Sequence, residues 1–120
     1  MTTPQIIAHR GASYLAPENT LVAFRKAMEI GADGVEMDVQ KTYDNQLVIH
    51  HDYMVDMHTD ISGQIYDLTM GELKALDFGS WKDAIYANER IATLQEALEL
   101  CAGMEGTCLL YTSPSPRDRS

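Results

Sequence analysis

The chain has 120 residues, a length that allows one modest domain and excludes two. Its formal net charge of −9 disfavours binding to nucleic acid and to anionic membranes. The two cysteines predict no disulfide framework, and the N-terminal residues lack the basic and apolar regions of a signal peptide. We therefore expect a cytoplasmic protein without a membrane anchor.

The first third of the chain predicts a strand, a helix and a second strand. The apolar run 6–8 is typical of a short buried strand. Residues 18–20 offer helix-capping side chains, apolar residues then recur at helical spacing, and Gly31 suits a helix end. A helix is therefore expected over about 20–30, followed by a strand over 34–39. Such a unit predicts a parallel strand pair with a right-handed crossover.

The second strand alternates in character. Val35, Met37 and Val39 share one face, and Glu36 and Asp38 share the other. Two carboxylates on one strand face supply the oxygen ligands that Mg²⁺ or Ca²⁺ prefers. The alternative is an exposed strand face, which alternates in the same way. The flanking helix favours the ligand interpretation, because it predicts a sheet that is covered on both faces.

Two histidines stand where predicted strands end. His9 follows the first strand, and a third strand, over 46–50, leads to His51 and Asp52. In α/β folds the ends of strands are where sites form. The two imidazoles could divide the general-acid and general-base roles, with Asp52 in the hydrogen-bonding shell of His51. A purely structural histidine is the alternative in each case.

Arg10 adds a planar fork that suits phosphate oxygens, although a salt bridge to an acidic neighbour would also explain it. His50 is expected to be a packing or supporting residue, and His58 a loop residue.

An acidic protein needs a local positive feature to capture an anionic substrate. Two histidines, an arginine and two carboxylates together supply the parts for metal-assisted hydrolysis of a phosphodiester.

The second half of the chain is less regular from residue 53 to residue 88. Capping boxes at 69–72 and 93–96 predict a short helix and a longer one that ends at Gly103. A buried strand is due after that helix, but residues 108–120 are rich in serine and proline and predict none. They resemble the in-frame translation of a transposon-type sequencing-library adapter. We therefore expect residues 108–120 to be a non-native, disordered tail.

Several motifs resemble the glycerophosphodiester phosphodiesterase family. They are His-Arg-Gly at 9–11, Glu-Asn-Thr at 18–20, Gly-Ala-Asp-Gly-Val-Glu-Met-Asp-Val at 31–39, His-Asp at 51–52, Leu-Thr-x-x-Glu-Leu at 68–73 and Thr-Leu-x-Glu-Ala-Leu at 93–98. The resemblance implies that residues 1–107 are the N-terminal portion of an α/β fold, a (β/α)8 TIM barrel truncated after about three βα units. Residues 53–88 would match the family's insertion between strands.

The resemblance also implies an activity, the hydrolysis of glycerophosphodiesters to glycerol 3-phosphate and an alcohol. His9 and His51 match the family's catalytic histidines, and Arg10 its phosphate-binding arginine. Glu36 and Asp38 match two ligands of a divalent metal, Mg²⁺ or Ca²⁺. The third carboxylate ligand, due on the strand after the 93–98 helix, is absent from the chain. Supporting positions around the site are Asp52, Glu18 and Asn19.

Two alternatives stay open. One is a phospholipase-type lyase of the same superfamily, which shares the site and forms a cyclic phosphate. The other is an inactive, truncated polypeptide with an open barrel and unpaired sheet edges. The sequence does not decide which of His9 and His51 is the general base. The expected partner is a small-molecule glycerophosphodiester and not a nucleic acid.

Overall fold

The computed structural model describes residues 6–102 and the backbone of residues 107–112. The expectations for the first five residues, for a helix end at Gly103 and for residues 113–120 lie outside this part of the chain. Within it the elements are, in chain order, β1 (Ile7–His9), α1 (Leu21–Glu29), β2 (Gly34–Lys41), β3 (Leu47–Ile49), α2 (Met70–Lys74), β4 (Ala92–Thr93), α3 (Leu94–Ala102) and β5 (Thr107–Thr112).

The strand–helix–strand unit predicted for the first third of the chain is present. β1 pairs with β2 in parallel, and the register places His9 opposite Glu36. The side chain of Thr20 caps α1 by accepting a hydrogen bond from the backbone N–H of Ala23. The chain leaves the helix through Gly31, which has a φ of +85°. The parallel pairing predicted from the spacing is therefore confirmed.

The two edges of β2 are paired differently, and this difference positions the site. β5 runs parallel along one edge, opposite Gly34 to Val39. β3 is antiparallel to β2, with Ile49 opposite Val39. Because β5 already occupies one edge as far as Val39, β1 and β3 must share the other edge. Their C-terminal ends therefore approach each other from opposite directions, beside residues 36–38.

Strand β5 corrects one expectation. Residues 107–112 join the sheet beside β2, whereas the sequence reading allowed no strand at this point. The physical reason is that the serines and prolines begin only at Ser113. The preceding six residues are Thr-Cys-Leu-Leu-Tyr-Thr, a composition that suits a strand. β5 is also the third parallel strand, because β3 turns back along β2 as an antiparallel partner.

The main core lies on one face of β2. Val35, Met37 and Val39 pack there against Phe24 of α1 and Ala97 of α3. Both helices cover this same face, and no described helix covers the other. In a (β/α)8 barrel the helices form an outer ring and the opposite strand face points to the interior. In the barrel that the resemblance implies, the acidic face of β2 would therefore be the interior face.

A second cluster holds the segment between β3 and β4 together. It contains Val48, Val55, Ile65, Leu73, Phe78 and Ile91. The segment includes two 3₁₀ turns, Ile65–Asp67 and Ala84–Tyr86, and the capping box predicted at 69–72 opens α2. β4 then pairs antiparallel with β3, and the second predicted capping box opens α3. Among the described helices, none has the length and apolar character that a membrane span requires.

Candidate active site

β1 ends beside a carboxylate of β2. Nε2 of His9 lies 2.9 Å from Oε2 of Glu36, and the other oxygen, Oε1, is buried without a hydrogen-bond partner. Burial raises the pKa of Glu36, and the neighbouring Asp38 raises it further, while His9, Arg10 and His51 act in the opposite direction. A buried carboxylate oxygen without a partner is costly, and a bound cation would remove that cost.

The second carboxylate of this face is held by the loop before α1. The side-chain amide of Asn19 donates a hydrogen bond of 3.0 Å to Oδ2 of Asp38. The backbone N–H of Asp38 donates in return to Oδ1 of Asn19, at 3.3 Å. Asn19 is buried and has a φ of +58°, a left-handed conformation that asparagine tolerates. The amide therefore fixes the direction in which Asp38 points.

Arg10 lies between two carboxylates. Its Nη1 donates a hydrogen bond of 2.8 Å to Oε2 of Glu18, and its Nε is 3.6 Å from Oδ2 of Asp38. Arg10 has a φ of +58° and Gly11 a φ of +79°, so the chain turns sharply after β1. The turn and the two carboxylates together hold the guanidinium beside the acidic face of β2.

The hairpin that contains β3 returns the chain to the acidic face of β2. The backbone N–H of His50 donates to the carbonyl of Asp38 at 2.8 Å, which brings the next residue, His51, alongside. Nδ1 of His51 is 2.8 Å from Oδ1 of Asp52, and the side chain of His51 is 45% exposed. The side-chain amide of Gln40 donates to the backbone carbonyls of His50 and Asp52, at 2.7 and 2.6 Å.

His58 is the residue whose place the sequence did not reveal. It lies in a loop, as the sequence predicts, but its side chain is only 8% exposed and lies between two carboxylates. Nε2 is 3.7 Å from Oε1 of Glu18, and Nδ1 is 3.8 Å from Oδ2 of Asp52. His58 and, to a smaller degree, Arg10 lower the pKa of Glu18 to about 2, against the opposing effect of burial.

His50 is buried as expected for a packing residue. Its ring meets those of His58 and Phe78 edge to face, at centroid distances of 5.0 and 5.4 Å. Burial, with a further effect of the nearby His58, lowers the pKa of His50 to about 4. The imidazole of His50 is therefore neutral at pH 7.

Glu36 and Asp38 fit a hard divalent cation, because they are oxygen donors on one strand face and one of those oxygens has no partner. The register positions opposite them on β5 are Leu109 and Tyr111, so neither supplies a third carboxylate. Among the described residues a different group has three metal-ligating side chains, with ligand atoms within 4.8 Å of one another. It consists of His50, Asp52 and His58.

Comparison with known proteins identifies the family. A model of the glycerophosphoryl diester phosphodiesterase family matches residues 9–116. The glycerophosphodiester phosphodiesterase of Caldanaerobacter subterraneus subsp. tengcongensis is 52% identical over 95 residues, which cover 79% of this chain and 39% of that protein. Glycerophosphodiester phosphodiesterase 1 of Rattus norvegicus is 45% identical over 97 residues, covering 79% of this chain and 29% of its own length.

Solved structures agree with this result. An Oleispira antarctica phosphodiesterase, in complex with the product sn-glycerol-3-phosphate, matches with a TM-score of 0.89 at 44% identity, covering 92% of this chain and 45% of its own. A glycerophosphodiester phosphodiesterase of Agrobacterium tumefaciens str. C58 matches with a TM-score of 0.87 at 32% identity, covering 92% and 47%. The chain thus spans less than half the length of these relatives, and its fold is the N-terminal portion of their barrel. The chain belongs to the glycerophosphoryl diester phosphodiesterase family.

Proposed function

We propose that this protein hydrolyses glycerophosphodiesters to glycerol 3-phosphate and an alcohol with the help of a divalent cation. The observation that carries this proposal is the surroundings of Glu36. One of its oxygens is buried without a partner, Asp38 shares its strand face, and His9, Arg10 and His51 all favour its charged form. Family membership supports the same reaction, and a relative binds sn-glycerol-3-phosphate as its product.

Glu36 and Asp38 would hold the cation, Mg²⁺ or Ca²⁺, which would neutralise charge on the phosphate when bound. Arg10 would bind a phosphate oxygen. Its guanidinium is fixed on two sides by Glu18 and Asp38, which reduces the conformational freedom lost on binding. We assign Glu18 and Asn19 the task of holding Arg10 and Asp38 in place.

The two exposed histidines would move the protons. His9 is 64% exposed, and His51 is held by Asp52 through Nδ1, which leaves Nε2 for the substrate. One histidine would take a proton from water or from the glycerol hydroxyl of the substrate, and the other would protonate the leaving alkoxide. The contact of His9 with Glu36 and that of His51 with Asp52 orient the two imidazoles.

The extent of the domain follows from the segment between β3 and β4 and from β5. We propose that residues 53–88, which lie between β3 and β4 and carry much of the second core cluster, are the family's insertion. We propose that the domain extends beyond residue 107, which the pairing of β5 with β2 and the family match to residue 116 support. A non-native origin of the tail, a cytoplasmic location and the absence of nucleic-acid partners stay predictions from the sequence.

The test is to purify the 120-residue chain and incubate it with glycerophosphocholine and either Mg²⁺ or Ca²⁺. We expect slow release of glycerol 3-phosphate that EDTA abolishes and that falls at least about 100-fold in His9→Ala and His51→Ala. Arg10→Lys should also lower the rate of turnover, because lysine lacks the planar fork that binds the phosphate. Arg25→Lys, an exchange at an exposed arginine of α1, is its control and should not change the rate.

The products also separate the alternatives. A cyclic phosphate would favour the lyase reading, because the substrate's own hydroxyl would then be the nucleophile. Absence of turnover with either metal would favour an inert polypeptide. Turnover that persists in both histidine variants would contradict the assigned roles.

A further inference from the structure

We propose that His50, Asp52 and His58 form a second metal site, distinct from the acidic face of β2 and suited to Zn²⁺. The donors are two imidazoles and one carboxylate. This set favours zinc and similar transition metals, whereas the oxygen donors of Glu36 and Asp38 favour Mg²⁺ or Ca²⁺. The two sites would thus take different metals.

The distances fit a site that closes by a small movement. One ligand atom from each of the three residues lies within 4.8 Å of the other two. Nδ1 of His58 and Oδ2 of Asp52 are already 3.8 Å apart. Tetrahedral zinc holds nitrogen and oxygen ligands roughly 3.4 Å from one another, given bonds of about 2.0–2.2 Å. The ligand atoms would therefore have to draw together by at most about 1.4 Å.

An unpartnered nitrogen points to a ligand independently of the cluster. Nδ1 of His58 is buried and has no hydrogen-bond partner. The alternative explanation of His58 is an ion pair with Glu18 and Asp52. Its nitrogens, however, are 3.7 and 3.8 Å from those carboxylates, beyond hydrogen-bonding distance. A metal on Nδ1 would remove the cost of leaving that nitrogen unsatisfied.

The surroundings of the two imidazoles are those of metal-binding histidines. Such histidines usually direct the other ring nitrogen at a carboxylate or a backbone carbonyl. Nε2 of His58 faces Glu18, so metal binding at Nδ1 would leave Nε2–H to donate to that carboxylate. Nε2 of His50 lies 3.3 Å from the backbone carbonyl of Met54, which fixes the orientation of the ring.

The cluster is covered by aromatic rings and still accessible. Trp81 meets the ring of His58 edge to face at 4.6 Å. A cavity of about 370 Å³ reaches His58 and is lined also by Asp60 and Asp77, whose carboxylates would attract a cation. The cavity therefore gives access to the side of the cluster that His58 forms.

The position of the site suggests what the metal does. Asp52 contacts His51 through Oδ1 and the cluster through Oδ2, and Glu18 contacts both His58 and Arg10. A zinc ion would therefore hold the carboxylates that position His51 and Arg10. This consequence rests on the proposed function, whereas metal binding itself does not.

The test is titration of the metal-free full chain with Zn²⁺, and with Co²⁺ as a spectroscopic probe, in excess Mg²⁺. We expect one equivalent to bind, with the visible absorption of tetrahedral Co²⁺ and without the near-ultraviolet band of a cobalt–thiolate bond. His58→Ala and His50→Ala should each weaken binding at least about 10-fold. Glu36→Gln combined with Asp38→Asn is the matched control and should leave Zn²⁺ binding unchanged.

Three results would overturn the site: no binding at micromolar Zn²⁺, a thiolate band, or binding lost in the Glu36→Gln/Asp38→Asn control and retained in His58→Ala. Circular dichroism of each metal-free variant shows whether it folds, and His58→Gln replaces any alanine variant that does not. Hydrolysis with Mg²⁺ is measured on the same samples. Zinc binding without turnover would support the site and contradict the proposed function, and turnover without zinc binding would do the reverse.

Discussion

Nε2 of His9 lies 2.9 Å from Oε2 of Glu36, so a candidate proton-transfer group directly contacts a candidate metal ligand. The two residues are opposite each other in the register of β1 and β2. Backbone pairing therefore places the two side chains next to each other. Because the same carboxylate faces the histidine and the proposed cation, the charge of Glu36 affects both contacts.

Glu36→Gln should weaken binding of Mg²⁺ or Ca²⁺ at least about 10-fold, because it removes a charged ligand and keeps its size. Burial and Asp38 raise the pKa of Glu36, so protons compete with the cation as the pH falls. In the unmodified chain the apparent affinity should therefore fall as the pH is lowered through that raised pKa. Isothermal titration calorimetry at several pH values measures both effects.

Glu29→Gln is the control for this prediction, because Glu29 is exposed at the end of α1. Equal affinities in Glu36→Gln and Glu29→Gln would show that Glu36 is not a ligand.

Asn19 should be important for stability as well as for the direction of Asp38. Asn19→Ala removes both hydrogen bonds to Asp38 and places alanine at a φ of +58°. We expect a loss of about 2–4 kcal/mol in the free energy of unfolding. Asn19→Gly removes the same hydrogen bonds without the conformational strain, so it should cost roughly 1 kcal/mol less. Urea denaturation of the two variants measures the difference, and a glycine variant less stable than the alanine variant would contradict the strain argument.

The parts of the site that follow from local pattern could be predicted from the sequence. The alternation of β2 places Glu36 and Asp38 on one face, and the strand end places His9 beside them. His51 was predicted at the end of a strand, but it arrives by an antiparallel hairpin whose end meets that of β1 along β2. The antiparallel direction of β3 follows from the short connection after Lys41. The edge of β2 that β3 joins depends on which edge β5 leaves open, and periodicity contains no information about that choice.

His58 could not be predicted for a related reason. Its contact with Glu18 joins residues that are 40 positions apart in the sequence. The contact depends on how the segment between β3 and β4 folds around its own core residues, among them Val55 and Phe78. No spacing rule connects a loop histidine to a carboxylate in a distant loop. The composition of residues 108–120 as a whole predicts no strand, because its serines and prolines outweigh the β-forming residues, which all precede Ser113.

Gly11 and Gly31 form a pair that separates backbone strain from steric contact. Both have a φ between +79° and +85°. A Cβ at Gly11 would lie 2.8 Å from the backbone carbon of Ala23, whereas one at Gly31 would meet nothing within 4 Å. Gly31→Ala should therefore cost about 1–2 kcal/mol from strain alone.

Gly11→Ala should cost at least about 1 kcal/mol more than Gly31→Ala, because the loop after β1 must also move away from α1. Thermal or urea unfolding of both variants measures the difference. Since Gly11 follows Arg10, the movement should also weaken phosphate binding, which Gly31→Ala should leave unchanged. Equal stabilities would show that the close approach to Ala23 relaxes without cost.

His50 should make the fold sensitive to mild acid. Its pKa is about 4 in the folded chain, because burial disfavours the charged ring, against 6.5 as the ordinary value. As the pH falls below 6.5 the unfolded chain takes up the proton first, so stability is full above that pH and declines towards pH 4. This one group accounts for a loss of about 3 kcal/mol over that interval. The low pKa of Glu18 acts in a different window, between its ordinary value of 4.5 and about 2.

Urea denaturation in EDTA at pH 7, 5.5 and 4.5 tests the effect, with EDTA present so that no metal holds the ring. His50→Gln keeps a donor for the carbonyl of Met54 and cannot titrate, so its stability should change much less over this interval. His9→Gln removes an exposed histidine and should retain the full decline of the unmodified chain. A decline of the same size in His50→Gln would mean that another group is responsible for the acid sensitivity.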